Sequence, residues 1–180
     1  MSFNSPSSDF VLLATTEASS SASVSFDGYF SSTYKNYVIH FSYMIPSSSS
    51  LPRVRYRRSN ADVTASNYWV LANGLYNSTT SSDVNNLNGF NNDSNFIHNQ
   101  NISTTTSNGG ITGSLIIYDP LNTTTYKTIN FQFGSRDTNN WYTTAGSMQL
   151  RDATTAISGI TFYYSSGNIA SGNFKLYGIK

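Results

Sequence analysis

The strongest constraint on this chain is a period of two. Residues 34–45, YKNYVIHFSYMI, put Tyr37, Ile39, Phe41, Tyr43 and Ile45 on one side of an extended chain. Val38, His40, Ser42 and Met44 fall on the other. Side chains alternate across a strand, so this spacing suits a β-strand rather than a helix. Both sides are mostly apolar, which predicts a central strand of a sandwich. Residues 157–180, ISGITFYYSSGNIASGNFKLYGIK, read as two more strands joined by a glycine-bearing turn. Ile160, Phe162 and Tyr164 share a face of the first, with Thr161 and Tyr163 opposite. Phe174, Leu176 and Gly178 share a face of the second, with Lys175, Tyr177 and Ile179 opposite. Such alternation between turn residues marks half-buried antiparallel strands.

Composition agrees. Charged residues make up 11%, against about 25% in an ordinary soluble domain. Glu occurs once, as Glu17. Few strong helix formers remain, and β-branched and aromatic residues are common. The 14% aromatic content supplies apolar area that a disordered chain lacks. The 180 residues suit one domain, 1–180. An N-terminal arm is expected at 1–9 and a polar excursion at 77–110.

Further strands are expected at 9–15, around Val24 and Phe26, at 111–120, at 125–134 and at 147–152. Residues 65–75 read as a strand or a short helical turn. A short strand is expected around 95–102, and a loop at 135–146 carrying Trp141 and Tyr142. Pro46 and the serines at 47–50 end the central strand. About eight to ten strands at this spacing predict an all-β antiparallel β-sandwich, jelly-roll-like ahead of immunoglobulin-like.

Net charge is +1, which gives no bulk attraction to nucleic acid or anionic membrane. The chain has no cysteine, so no disulfide framework or cysteine-based zinc site is available. No apolar run approaches the roughly 18 residues of a membrane span. MSFNSPSSDF shows no basic-then-apolar leader, and synthesis in a cytoplasm is expected. Four sequons, at Asn77, Asn92, Asn101 and Asn122, read as by-products of the Asn/Ser/Thr bias.

Candidate chemistry is sparse. The acids are scattered beside turn residues, where Asp hydrogen-bonds local backbone. His40 reads as a packed or hydrogen-bonded strand residue and His98 as solvated. Neither a calcium loop nor a G-x-S-x-G elbow is present. No cofactor, metal site or catalytic residue is expected, and the chain reads as non-enzymatic. One strand, LPRVRYRRSN, alternates Val54 and Tyr56 with Arg53, Arg55 and Arg57, and Arg58 returns to the first face. Arg53, Arg55, Arg57 and Tyr56 are candidate interface residues, with the arginines pairing acids of a neighbour. A nucleic-acid face is the weaker reading in a neutral chain. Trp69, Trp141 and Tyr142 are candidates for core, for a partner interface or for a sugar-stacking platform.

Three blocks carry a resemblance: YKNYVIHFSYMIPSSSSLPRVRYRRS, GGITGSLIIYDPLNTTTYKTINFQFG and the closing TAISGITFYYSSGNIASGNFKLYGIK. They resemble small tailed-bacteriophage virion structural proteins that end in Leu-Tyr-Gly-Ile-Lys. The resemblance covers roughly residues 10–60 and 110–180, and 77–105 does not match. It implies a jelly-roll-like sandwich in a virion, often multimeric, and no catalytic residues. A capsid decoration or cement subunit, assembled as a homotrimer, is the expected role. The partners implied are the major capsid protein or tail proteins and two further copies in a homotrimer. The alternative is a tail or fibre-tip protein that binds a host-surface glycan.

Overall fold

The structure, a computed structural model, describes residues 9–64, 66–77, 82–85, 97–98 and 100–180. The expected arm lies outside these residues except for Asp9. So do Asn92 and the start of the strand expected at 95–102.

The described residues form twelve strands. They are β1 (Phe10–Ser21), β2 (Ser23–Asp27), β3 (Asn36–Pro46), β4 (Pro52–Arg58), β5 (Ala61–Asp62) and β6 (Tyr68–Asn77). The rest are β7 (Ser82–Asn85), β8 (Ile111–Tyr118), β9 (Lys127–Arg136), β10 (Trp141–Leu150), β11 (Gly159–Tyr164) and β12 (Ile169–Ile179). The all-β sandwich therefore holds, with more strands than the spacing suggested. The stretch expected at 65–75 as strand or helical turn is strand from Tyr68 onward, in β6. The stretch 135–146 is mostly not a loop, because β10 already begins at Trp141.

One sheet runs β1-β12-β3-β8-β9-β10-β6-β7 and the other β2-β11-β4-β5. Every pairing is antiparallel. Counted along the chain without β6, β7, β9 and β10, the other eight strands run 1-8-3-6 and 2-7-4-5. That order is a jelly roll, two Greek keys folded into facing sheets. The four omitted strands extend the first sheet.

Within the jelly roll, consecutive strands mostly lie in different sheets and cross between them at corners, while β4 and β5 pair with each other. β11 and β12 are such a pair, so their turn joins two sheets and closes no hairpin. The corners 47–51 and 165–168 are laced by hydroxyls. Ser50 Oγ meets Ser165 Oγ at 2.8 Å and accepts from Ser166 N at 2.9 Å. Ser47 N donates to Asn168 O at 2.8 Å. The serine run thus satisfies backbone groups that leave one ladder before joining the next.

The core lies between the sheets. Phe162 of β11 packs at 5.6 Å from Phe41 and 5.2 Å from Phe174. In the extension, a side chain on Gly146 would sit 2.7 Å from the Phe131 ring, so the small residue makes room for the large one.

β3 departs from strict alternation. Its pairing with β8 slips between Phe41 and Met44, and Tyr43 takes φ 53°. The bulge turns Tyr43 out to 64% exposure and Met44 in to 0%. The expected faces therefore exchange at these two positions.

Phe162→Ala removes the ring shared by both sheets and should cost about 3–5 kcal/mol. Urea unfolding of the two proteins measures the difference.

Candidate functional site

The arginine strand folds as alternation dictates. Val54 and Tyr56 are fully buried, and Arg53, Arg55 and Arg57 face outward from the small sheet. Tyr56 is therefore core, stacked on Tyr68 with centroids 6.2 Å apart, and offers nothing to an interface. Arg57 finds acids of its own chain. Its Nε donates to Asp27 Oδ2 at 2.6 Å, and Nη1 donates to Asp62 Oδ1 and to Thr161 Oγ1. These bonds hold the guanidinium above its ordinary pKa, the Asp27 bond most. Burial pushes the Asp27 carboxyl up, but the hydrogen bond and charge of Arg57 outweigh it and leave it below the usual range. Arg55 lies 4.6 Å over the Tyr163 ring and 4.0 Å from Asp62. Arg58, on the inner face, grips Asp152 with both Nη atoms. At least Arg55, Arg57 and Arg58 are thus engaged within the fold, where a neighbour's acids were expected.

The three aromatic candidates do not converge. Trp69 lies opposite Gln149 and Trp141 opposite Asn77. Eight positions of β10 separate the two sites, about 27 Å at strand rise. Both rings stay on the outer face, 39% and 55% exposed. Arg151 covers Trp69 at 4.2 Å. Tyr142 points inward, 5% exposed, and its hydroxyl donates to Asp137 Oδ2 at 2.8 Å. Burial and then this carboxylate push the phenol up to about 12. No joint sugar platform exists among them.

His98 is the largest surprise. It is 2% exposed, where solvent was expected. Nε2 lies 3.1 Å from Ser135 Oγ and Nδ1 lies 3.3 Å from Thr144 Oγ1. Phe133 and Tyr142 meet the ring edge-on, at 5.4 and 5.2 Å. Burial lowers its pKa to about 4, against a weaker opposing pull from Asp137. A serine beside an imidazole invites comparison with a nucleophile and its base. Here Thr144 occupies the place of the orienting carboxylate, and Ser135 and Thr144 are 0% and 1% exposed. Ser135 Oγ and Thr144 Oγ1 are enclosed with the imidazole, so among the described residues the cluster is a packed polar knot. It sits in a segment whose Ile97 and Ile102 are also buried. Of the strand expected at 95–102, the described residues show the bridge from Ile102 to Ser50. His40 is exposed, its ring edge-on to Tyr177 at 5.6 Å. Among the described residues, no three His, Asp or Glu side chains gather as metal ligands would.

At the sandwich end opposite the serine corners, the β2–β3 loop meets the β8–β9 turn around a cleft of about 450 Å³. Sequence reading missed it, because its parts lie more than eighty positions apart, as Lys35 and Asp119 show. Asp119 N donates to Lys35 O at 2.9 Å and to Asn36 Oδ1 at 3.2 Å, which stitches the two walls.

A comparison of the chain with protein-family models, with curated proteins and with solved structures finds no match in any of them.

Two outcomes follow from this electrostatics. An unfolded histidine titrates near 6.5 and folded His98 near 4, so the unfolded chain binds the extra proton first. Stability attributable to His98 is complete above pH 6.5 and declines as pH falls toward 4, by on the order of 3 kcal/mol. The depressed Asp27, Asp137 and Asp152 lose their contributions below the usual carboxylate range, at lower pH. Unfolding free energy against pH, wild type minus His98→Gln, should show the decline. Separately, Arg57→Ala strands two carboxylates and should cost about 2 kcal/mol, given its partial exposure. Arg55→Ala, whose ion pair is longer at 4.0 Å, should cost less in the same urea assay.

Proposed function

We infer that this chain is a non-enzymatic structural protein of a tailed-bacteriophage virion. It acts as a decoration or cement subunit on the outer capsid, assembled as a homotrimer. The observation that carries the reading is the outer face of the eight-stranded sheet. Strands β6 and β10 bury Tyr68, Val70, Tyr142 and Met148 on the inner side, yet Trp69, Leu71, Leu75 and Trp141 remain 39%, 68%, 53% and 55% exposed on the other. Apolar side chains grouped on neighbouring strands β6 and β10 mark an interaction face. Covering them against a shell protein yields about 25 cal/mol per Å² before the costs of association.

Two further points support the reading. The three sequence blocks that resemble virion proteins supply most of the jelly-roll strands. Jelly rolls also recur in viral shells, although they recur in lectins too, so fold analogy alone does not select the role. The tail-tip alternative loses the aromatic platform it was built on, because Trp69 and Trp141 lie apart and Tyr142 is buried. Acid pairing within the fold removes Arg57 as an anchor for a neighbour, which leaves the large sheet as the docking face.

Cryo-electron microscopy of intact particles tests this directly. Density for the jelly roll over the capsid lattice, at three-fold or quasi-three-fold positions, is expected. Density confined to the tail would overturn the capsid role. On purified shells, Leu71→Asp should weaken retention about tenfold, equivalent to about 1.4 kcal/mol.

A further inference from the structure

We propose that the cleft between the β2–β3 loop and the β8–β9 turn binds a neutral saccharide. The site differs from the aromatic candidates and does not depend on where in a particle the protein resides.

The cleft is built before any ligand arrives. Tyr37 is fully buried, and its hydroxyl accepts from Ser31 N at 2.7 Å and donates to Ser31 O at 3.0 Å. One wall is thereby pinned from beneath. On the other, Asn122 Oδ1 accepts from the backbone N–H groups of Thr124 and Thr125 at 2.7 and 2.9 Å. Asp119 opens this turn, with Asn122 N donating to its carbonyl at 3.1 Å. Asp119 also holds φ 40°, an uncommon conformation for a residue other than glycine. The ring of Tyr34, which lines the cleft, rests against Gly178, where a side chain would come within 2.5 Å of it. Both walls are fixed by bonds that do not use the groups a ligand would meet.

Those groups suit a sugar. Asp119 Oδ2 receives Lys35 Nζ at 3.5 Å and Asn122 Nδ2 at 3.3 Å, while Oδ1 takes no hydrogen bond among the described residues. A carboxylate oxygen with this freedom accepts from hydroxyl groups, and the 77%-exposed Lys35 ammonium donates to them. Vicinal hydroxyls both donate and accept, so an acid and an amine 3.5 Å apart can address neighbouring ring oxygens. The Ser32 hydroxyl adds a neutral partner. Tyr34 and Leu121 supply apolar surface for the C–H face of a pyranose. The volume falls within the range of small-molecule sites, about 300–1,000 Å³. Charge chooses among sugars. Lys35 and Asp119 cancel, so an anionic saccharide or a phosphate would gain nothing from the ammonium that the carboxylate does not oppose.

The test is amide NMR of the full chain titrated with methyl pyranosides of gluco, galacto, manno and N-acetylglucosamine configuration. Concentrations should reach about 50 mM, well past a millimolar Kd. Saturable shifts at residues 31–35 and 119–124 are expected with at least one of them. Asp119→Asn keeps the backbone bonds that stitch the walls and suits the positive φ. It should raise that Kd about tenfold with an unchanged melting temperature, and Lys35→Ala should weaken binding as well. Absence of saturable shifts across the panel would overturn the proposal. So would shifts centred on Trp69 or Trp141, an Asp119→Asn protein that binds as well as wild type, or tighter binding of sialic acid than of every neutral sugar.

Discussion

Among the described residues, the eight-stranded sheet buries inner-face side chains from β1 across to β6, but only four strands stand opposite it. The jelly roll proper covers β1, β12, β3 and β8 with β2, β11, β4 and β5. The extension β9-β10-β6 brings Phe131, Phe133, Met148 and Val70 to the same interior. These residues need a lid, since exposed aromatic surface of that extent is unfavourable in water. The segment at 97–103 supplies it with Ile97, His98 and Ile102. Much of the rest of the molecule answers to this mismatch between the two sheets.

That constraint explains why a histidine is buried in a polar tract. The inner face of the extension is not wholly apolar, for Ser135 and Thr144 lie among its aromatics at 0% and 1% exposure. Two buried hydroxyls need partners. A neutral imidazole offers one donor and one acceptor in a flat ring that fits between Phe133 and Tyr142. The same burial that makes the packing work makes the charged form unfavourable, so structural fit and pH sensitivity have one cause.

Polar side chains elsewhere divide by the same accounting. Serines at 47–50 and 165–166 bond one another where the chain changes sheets. Arg57 sits between Asp27 and Asp62 on the small sheet's outer face. On the large sheet's outer face, Leu71 and Leu75 of β6 stay exposed, with no such network around them among the described residues. One outer face is satisfied from within and the other presents apolar surface outward. The cleft by Lys35 and Asp119 is a third case, with its backbone satisfied and its side chains open to solvent.

Local alternation alone marked out β3, β4, β8, β11 and β12, because period two is carried by neighbours along the chain. It placed Val54 and Tyr56 against the arginines and Phe174 with Leu176 correctly, and the all-β class followed from them. Where a position's environment came from far away, the sequence was silent. Tyr43 and Met44 traded faces through a bulge that β8 imposes. Trp141 and Tyr142 looked like loop residues because their strand is sustained by pairing with β6 and β9. His98 was read as solvated because its neighbours in sequence are polar, whereas its neighbours in space are Ser135, Thr144 and two rings. The arginines' partners and the cleft likewise depend on contacts between distant segments. Periodicity records which side of a strand a residue occupies, and only the closed sandwich decides what lies on that side.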